Sequence, residues 1–171
     1  MALAKAASAF AGLGLLVLTA VAPPAAAQGA VPLAGPLGVG GKWMLDLPRS
    51  HFNEALTGAA PLSGELDITK DDGKFIAWTL VEEDDEGVAA IQFADAGLDG
   101  SPTRAVVNFN FVTLSVERTG PSSVAVMTHG QTGRRQTMRV ALSGPDTLLI
   151  EQDVDGKPGP PDQTLIFVRK K

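Results

Sequence analysis

The sequence predicts an all-β fold, an antiparallel up-and-down β-barrel of about eight to ten strands. Three observations lead there. From Gly41 onward turn signals recur roughly every 8–12 residues, the spacing of an all-β sandwich or barrel. Between them apolar residues alternate at a period of two, with almost no helical period. The connections are short and of the hairpin kind, so strands pair with their sequence neighbours. A single sheet of that many strands tends to curl, and closure removes its edges. A two-sheet sandwich satisfies the same pattern and stays as the alternative.

Residues 1–27 read as a secretory signal peptide rather than part of the fold. Lys5 is their only charge, Ala9 to Val21 is apolar, and Pro23-Pro24 and Ala25-Ala26-Ala27 follow. That is a basic start, an apolar core and a small-residue cleavage site. The apolar run is shorter than the roughly 20 residues that span a bilayer. Cleavage is expected after Ala27 and an exported, periplasmic or extracellular, protein with it. The alternative is an uncleaved membrane anchor. The chain contains no cysteine, which removes lipidation at the cleavage site, disulfides, thiolate metal ligands and cysteine nucleophiles. A mature chain of about 144 residues suits one domain held by its core alone.

Loss of Lys5 leaves 13 basic against 19 acidic residues. An acidic surface without a basic, aromatic-laced cluster disfavours nucleic acid and anionic membrane; no stable membrane insertion is expected after cleavage. Residues 28–40, rich in Gly, Pro and Ala and without charge, read as a flexible linker. Residues 41–171 form the single domain.

The first strand is Gly41 to Leu47, with Trp43, Leu45 and Leu47 on one face and Pro48 ending it. Ser50 can cap one helical turn over His51–Glu54, and Gly58 to Gly64 is loop. Leu66 and Ile68 mark a second strand. Asp71-Asp72-Gly73-Lys74 is a hairpin turn, since Gly takes φ > 0 without steric cost. Phe75 to Val81 returns with Ile76, Trp78 and Leu80 on one face. The acidic run Glu82–Glu86 is the next tip, and Val88 to Phe93 runs back. Asp99-Gly100 centres another turn. Arg104 to Arg118 is too long for one strand: Val107, Phe109 and Phe111 follow odd positions, Val112, Leu114 and Val116 even ones. A period of two changes parity only through an extra residue, so a bulge or tight turn belongs near Asn108–Phe111. Val124 to His129, Arg135 to Leu142, Thr147 to Val154 and Thr164 to Lys170 complete the strands. Gly130–Gly133, Ser143–Asp146 and Asp155–Pro161 connect them.

Gly41-Lys42-Trp43 resembles the Gly-x-Trp signature on the first strand of lipocalins and related calycins. The resemblance implies that an arginine from the last strand lies across the tryptophan, and Arg169 stands where that arginine belongs. Guanidinium over indole contributes about 0.5–2 kcal/mol and helps seal the barrel floor. Trp43 and Arg169 are then structural. The chain is also similar to small exported bacterial proteins built on a lipocalin-like barrel. The shared pieces run in order from Trp43-Met44-Leu45-Asp46-Leu47 through Asp99–Pro102, Ser143–Leu148 and Asp155–Pro158 to Phe167–Lys170. The middle-loop signatures and disulfides of true lipocalins are absent, and ten strands would fit the fatty-acid-binding calycins better than eight.

Catalytic constellations are missing. The two histidines, His51 and His129, have no His-x-x-x-His spacing for a metal. Glu82–Glu86 and Asp155-Gly156 lack the alternate-residue ligand pattern of a calcium loop. Gly-x-Ser-x-Gly, a phosphate loop and a dinucleotide fingerprint do not occur. No catalytic residue, metal or cofactor is assigned. Four residues are candidates for a ligand-lining role by pattern alone: Trp78, Phe109, Met127 and Arg139. An inward Arg139 would require an acidic partner or ligand; an exposed Arg139 needs neither. The first reading is a small apolar or amphipathic ligand bound in the barrel. The others are a protein-binding or inhibitor module with a filled barrel, and an isomerase- or cyclase-like enzyme using the lumen.

Overall fold

The computed structural model describes residues 35–129 and 135–171. The leader, residues 28–34 of the linker and the Gly130–Gly133 loop lie outside them. Ten antiparallel strands close into a barrel: β1 (Gly41–Leu45), β2 (Ser63–Asp71), β3 (Phe75–Asp84), β4 (Gly87–Gly97), β5 (Thr103–Val107), β6 (Asn110–Gly120), β7 (Ser123–His129), β8 (Arg135–Gly144), β9 (Thr147–Asp153) and β10 (Gln163–Arg169). Each strand pairs with its sequence neighbours, and β1 meets β10 to close the ring. At that seam Trp43 stands opposite Arg169 and Leu45 opposite Phe167. The sheet is a closed up-and-down barrel, and the sandwich is excluded.

Inward side chains follow even positions on β2, β3 and β4, as with Leu66, Ile76, Trp78, Leu80 and Ala94, all buried. On β5 the buried residue is odd, Ala105, and on β6 even again, Leu114 and Val116. A two-residue turn between β5 and β6 makes the change, with Val107 paired to Asn110. Asn108 and Phe109 both have positive φ, 48° and 62°, which is the hairpin geometry that matches strand twist. The parity break is therefore a tight turn rather than a bulge.

Three local expectations need correction. First, β1 stops at Leu45, and Leu47–Arg49 forms a 3-10 turn. Leu47 therefore leaves the inward row. Second, Ser50 caps no helix. Its hydroxyl donates to the Asp46 carbonyl (2.8 Å) and accepts from the Ile166 amide (2.9 Å), tying the end of β1 to β10. The helical turn that follows, α1, is Glu54–Thr57. Third, the end of the linker is not a tether. Leu37 and Val39 are each 2% exposed, since burying both apolar side chains outweighs the freedom of so short a segment.

This strap is bolted down at one end of the barrel. The Asp71 carboxylate accepts from the amides of Leu37 (2.7 Å), Gly38 (2.8 Å) and Val39 (3.0 Å). The fully buried Trp43 donates its indole N–H to the Val39 carbonyl at 2.8 Å. Arg169 lies 4.0 Å from the Trp43 ring centroid and donates to the carbonyls of Gly40 (2.6 Å) and Gly38 (3.1 Å). Arg118 reaches the Gly35 carbonyl at 2.6 Å. Gly41 adopts φ +112°, and a Cβ there would stand 3.1 Å from the Arg169 guanidinium. The floor is thus a layered plug of strap, indole and guanidinium.

Candidate ligand cavity

Opposite the plug, the barrel is open inside. A cavity of about 320 Å³ lies between the start of β10 and the ends of β3, β7 and β9. Phe52, Leu56 of α1 and Pro61 form one side of its mouth. Beneath it lies a narrow space of about 20 Å³ lined by apolar side chains from β2, β3, β7, β8 and β9, Trp78 and Val126 among them. Leu80, Gln92 and Met138 border both spaces. The interior is therefore graded, apolar below and polar above.

The polar level follows directly from strand parity. Glu82 is one step further along the face of Ile76, Trp78 and Leu80. Gln92 extends the face of Ala94 and Ala96, Gln152 that of Leu148 and Ile150, and Gln163 that of Leu165 and Phe167. Each strand is apolar towards the plug and turns polar towards the mouth. The carboxamides bond to one another and to the wall. Trp78 Nε1 donates to Gln92 Oε1 at 3.0 Å. Gln163 Nε2 donates to Gln152 Oε1 at 3.1 Å, and Gln152 Nε2 lies 3.7 Å from the Met138 sulfur. Burial holds the Glu82 carboxyl above its ordinary value, because the charged form loses water. Among the described lining residues the only ionisable groups are Glu82 and Asp155. Asp155 forms an ion pair with Lys157.

Of the four residues singled out as ligand-lining by pattern, Trp78 borders the cavity system. The other three lie elsewhere, which corrects the lumen placement of Phe109 and Met127 and gives Arg139 the exposed placement the sequence had left open. Phe109 sits at the β5–β6 turn and is 73% exposed. Met127 has the opposite parity to Val124 and Val126, which line the deep space, and so faces outward. Arg139 is exposed, stands opposite Glu151 across the β8–β9 ladder, and pairs with it at 2.7 Å on the outer face. Glu82, expected at a solvated tip, faces inward instead; the tip proper is Asp85-Glu86.

The histidines do not enter the cavity lining. The backbone of His51 bridges to Thr164, and His129 ends β7. Asp153, Asp155 and Asp162 bring carboxylate oxygens within 4.8 Å of one another. These oxygens already brace the β9–β10 loop: Asp162 accepts from the amides of Val154 (2.9 Å) and Asp155 (3.1 Å), and Asp153 from Gly156 (2.7 Å).

No protein-family model and no curated protein matches the chain. Solved structures do. The wild-type fluorescent protein UnaG aligns with a TM-score of 0.55 at 14% identity, covering 78% of this chain and 97% of that one. A point mutant of UnaG aligns at 0.56, also 14% identical, covering 78% and 96%. At that identity the likeness is one of fold, and it places this chain beside a structure of nearly the same extent as its own barrel.

Proposed function

We propose that the barrel binds a small amphipathic ligand, with its apolar body above Trp78 and its polar end at the level of the glutamines. The graded cavity of about 320 Å³ carries this reading. It falls at the lower end of the range for small-molecule sites, about 300–1,000 Å³, with convergent polar groups in its own wall and apolar side chains around the narrow space beneath. A filled barrel would have served a purely structural or surface-binding role, and this one is filled only near the plug. The fold shared with UnaG is compatible with the reading.

The test is saturable binding of a neutral lipophilic dye such as Nile red. Ala90 lines the mouth side of the cavity, and Ala90→Trp places an indole there. The wild type is expected to bind the dye at one equivalent and Ala90→Trp to lose at least tenfold in affinity. Absence of saturable binding, or equal binding by the variant, overturns the proposal. We further propose, from the leader alone, that the protein is exported; N-terminal sequencing of the secreted form should begin at Gln28, and a start at Met1 would refute it.

A further inference from the structure

We infer that the polar end of the ligand is an uncharged hydrogen-bond donor, received by the glutamines of the upper cavity, and is not a carboxylate. The inference rests on the ligand-binding reading above and specifies its chemistry.

Two independent features support it. The first is an acceptor without a donor. Gln163 is 7% exposed and lies in the cavity wall. Its Nε2 is committed to Gln152, while its Oε1 is buried without a hydrogen-bond partner. An unmatched buried acceptor costs about as much as a lost hydrogen bond, and native structures contain few. A donor entering from the cavity meets it once the terminal amide turns, a soft torsion that also takes Nε2 off Gln152 and frees Gln152 Oε1 to accept.

The second feature is the charge of the lining. Among the described residues no Lys, Arg or His lines the cavity, while Glu82 and Asp155 do. A carboxylate arriving there would lose its water, meet no cation among the described lining residues, and face carboxyl groups instead. A cationic head would find in Glu82 a single carboxyl whose charge burial already disfavours, and Asp155 is engaged by Lys157. The carboxamides suit a hydroxyl or amide N–H instead.

Three probes of equal chain length separate the cases: decan-1-ol, decyl methyl ether and decanoate, each titrated calorimetrically into the purified protein at pH 7. The alcohol is expected to bind about three- to tenfold tighter than the ether, which accepts but cannot donate, and decanoate weakest of all. Gln163→Leu should bring alcohol and ether together. Decanoate binding as tightly as the alcohol, or ether and alcohol binding alike in the wild type, overturns the inference while the cavity reading stands. An unchanged alcohol-to-ether ratio in a folded Gln163→Leu also overturns it. Failure of all three probes to bind overturns both. Should Gln163→Leu not fold, the wild-type ranking decides alone.

Discussion

Removing the Asp71 carboxylate should unfasten the floor of the barrel. The side chain accepts three backbone N–H bonds from the strap, at 2.7–3.0 Å. A hydrogen bond to a charged acceptor contributes about 1.5–3 kcal/mol net. Three such bonds set a ceiling that Asp71→Ala will not reach, because the strap can leave. Leaving exposes Leu37 and Val39, each worth about 1.5–3 kcal/mol of burial. It also returns about 1–2 kcal/mol of backbone entropy for each residue freed. For Leu37 to Val39 that entropy, about 3–6 kcal/mol, offsets the burial lost, so the expected loss is set by the bonds themselves and is at least that of one of them, about 1.5–3 kcal/mol. Urea unfolding measures the total, and amide exchange locates it: protection at Leu37 to Val39 should fall before the strands open. Asp71→Asn, which keeps one acceptor oxygen, should lose less. A loss for Asp71→Ala below about 0.5 kcal/mol, with strap protection intact, would refute the reasoning, since charge-assisted bonds of this geometry should exceed that.

Other perturbations probe the mouth and the wall. Glu82 has a folded-state pKa above its unfolded value because burial disfavours its charge. The folded state then holds the proton more tightly, and stability falls as pH rises from the ordinary carboxylate value through the raised one. Glu82→Gln should therefore stabilise the barrel at neutral pH and make no difference below the ordinary value; denaturation at both pH values checks the sign. Phe109 holds φ +62° and packs little, being mostly exposed. The left-handed conformation costs a non-glycine residue about 1–2 kcal/mol, and glycine's greater unfolded freedom returns about 0.5–1. Phe109→Gly should raise stability by about 0.5–1 kcal/mol in thermal or urea unfolding.

Local chemistry made much of the barrel legible. Gly73 at φ +83° occupies the β2–β3 turn, where Asp-Gly in the sequence put it, and the parity change after Val107 announced the β5–β6 turn. The Gly-x-Trp strand and the terminal arginine could be paired on resemblance, and they meet at the seam. The interior was harder to read. A period of two divides a strand into two faces without saying which is inward. On β7, Val124 and Val126 compete with Ala125 and Met127, and only the neighbouring strands decide for the valines. Arg139 required the β8–β9 register, because its partner Glu151 is 12 residues away. The strap was hidden by its composition: Gly and Pro around Leu37 and Val39 read as linker, and the anchoring carboxylate lies over 30 residues downstream. The polar level was within reach of parity alone. Extending Ile76, Trp78 and Leu80 by two residues arrives at Glu82, but its place in an acidic run favoured a solvated tip.

A ligand in the lumen would enter the barrel and rest against Trp78. The chain has two tryptophans: Trp78 borders the cavity system, while Trp43 is sealed in the floor. A brominated alcohol such as 11-bromoundecan-1-ol quenches indole emission on contact. Titrated into the wild type, it should quench saturably at one equivalent, and Trp78→Phe should abolish most of that effect while Trp43 continues to emit. Quenching that never saturates, or that persists undiminished in Trp78→Phe, would contradict a ligand in the lumen.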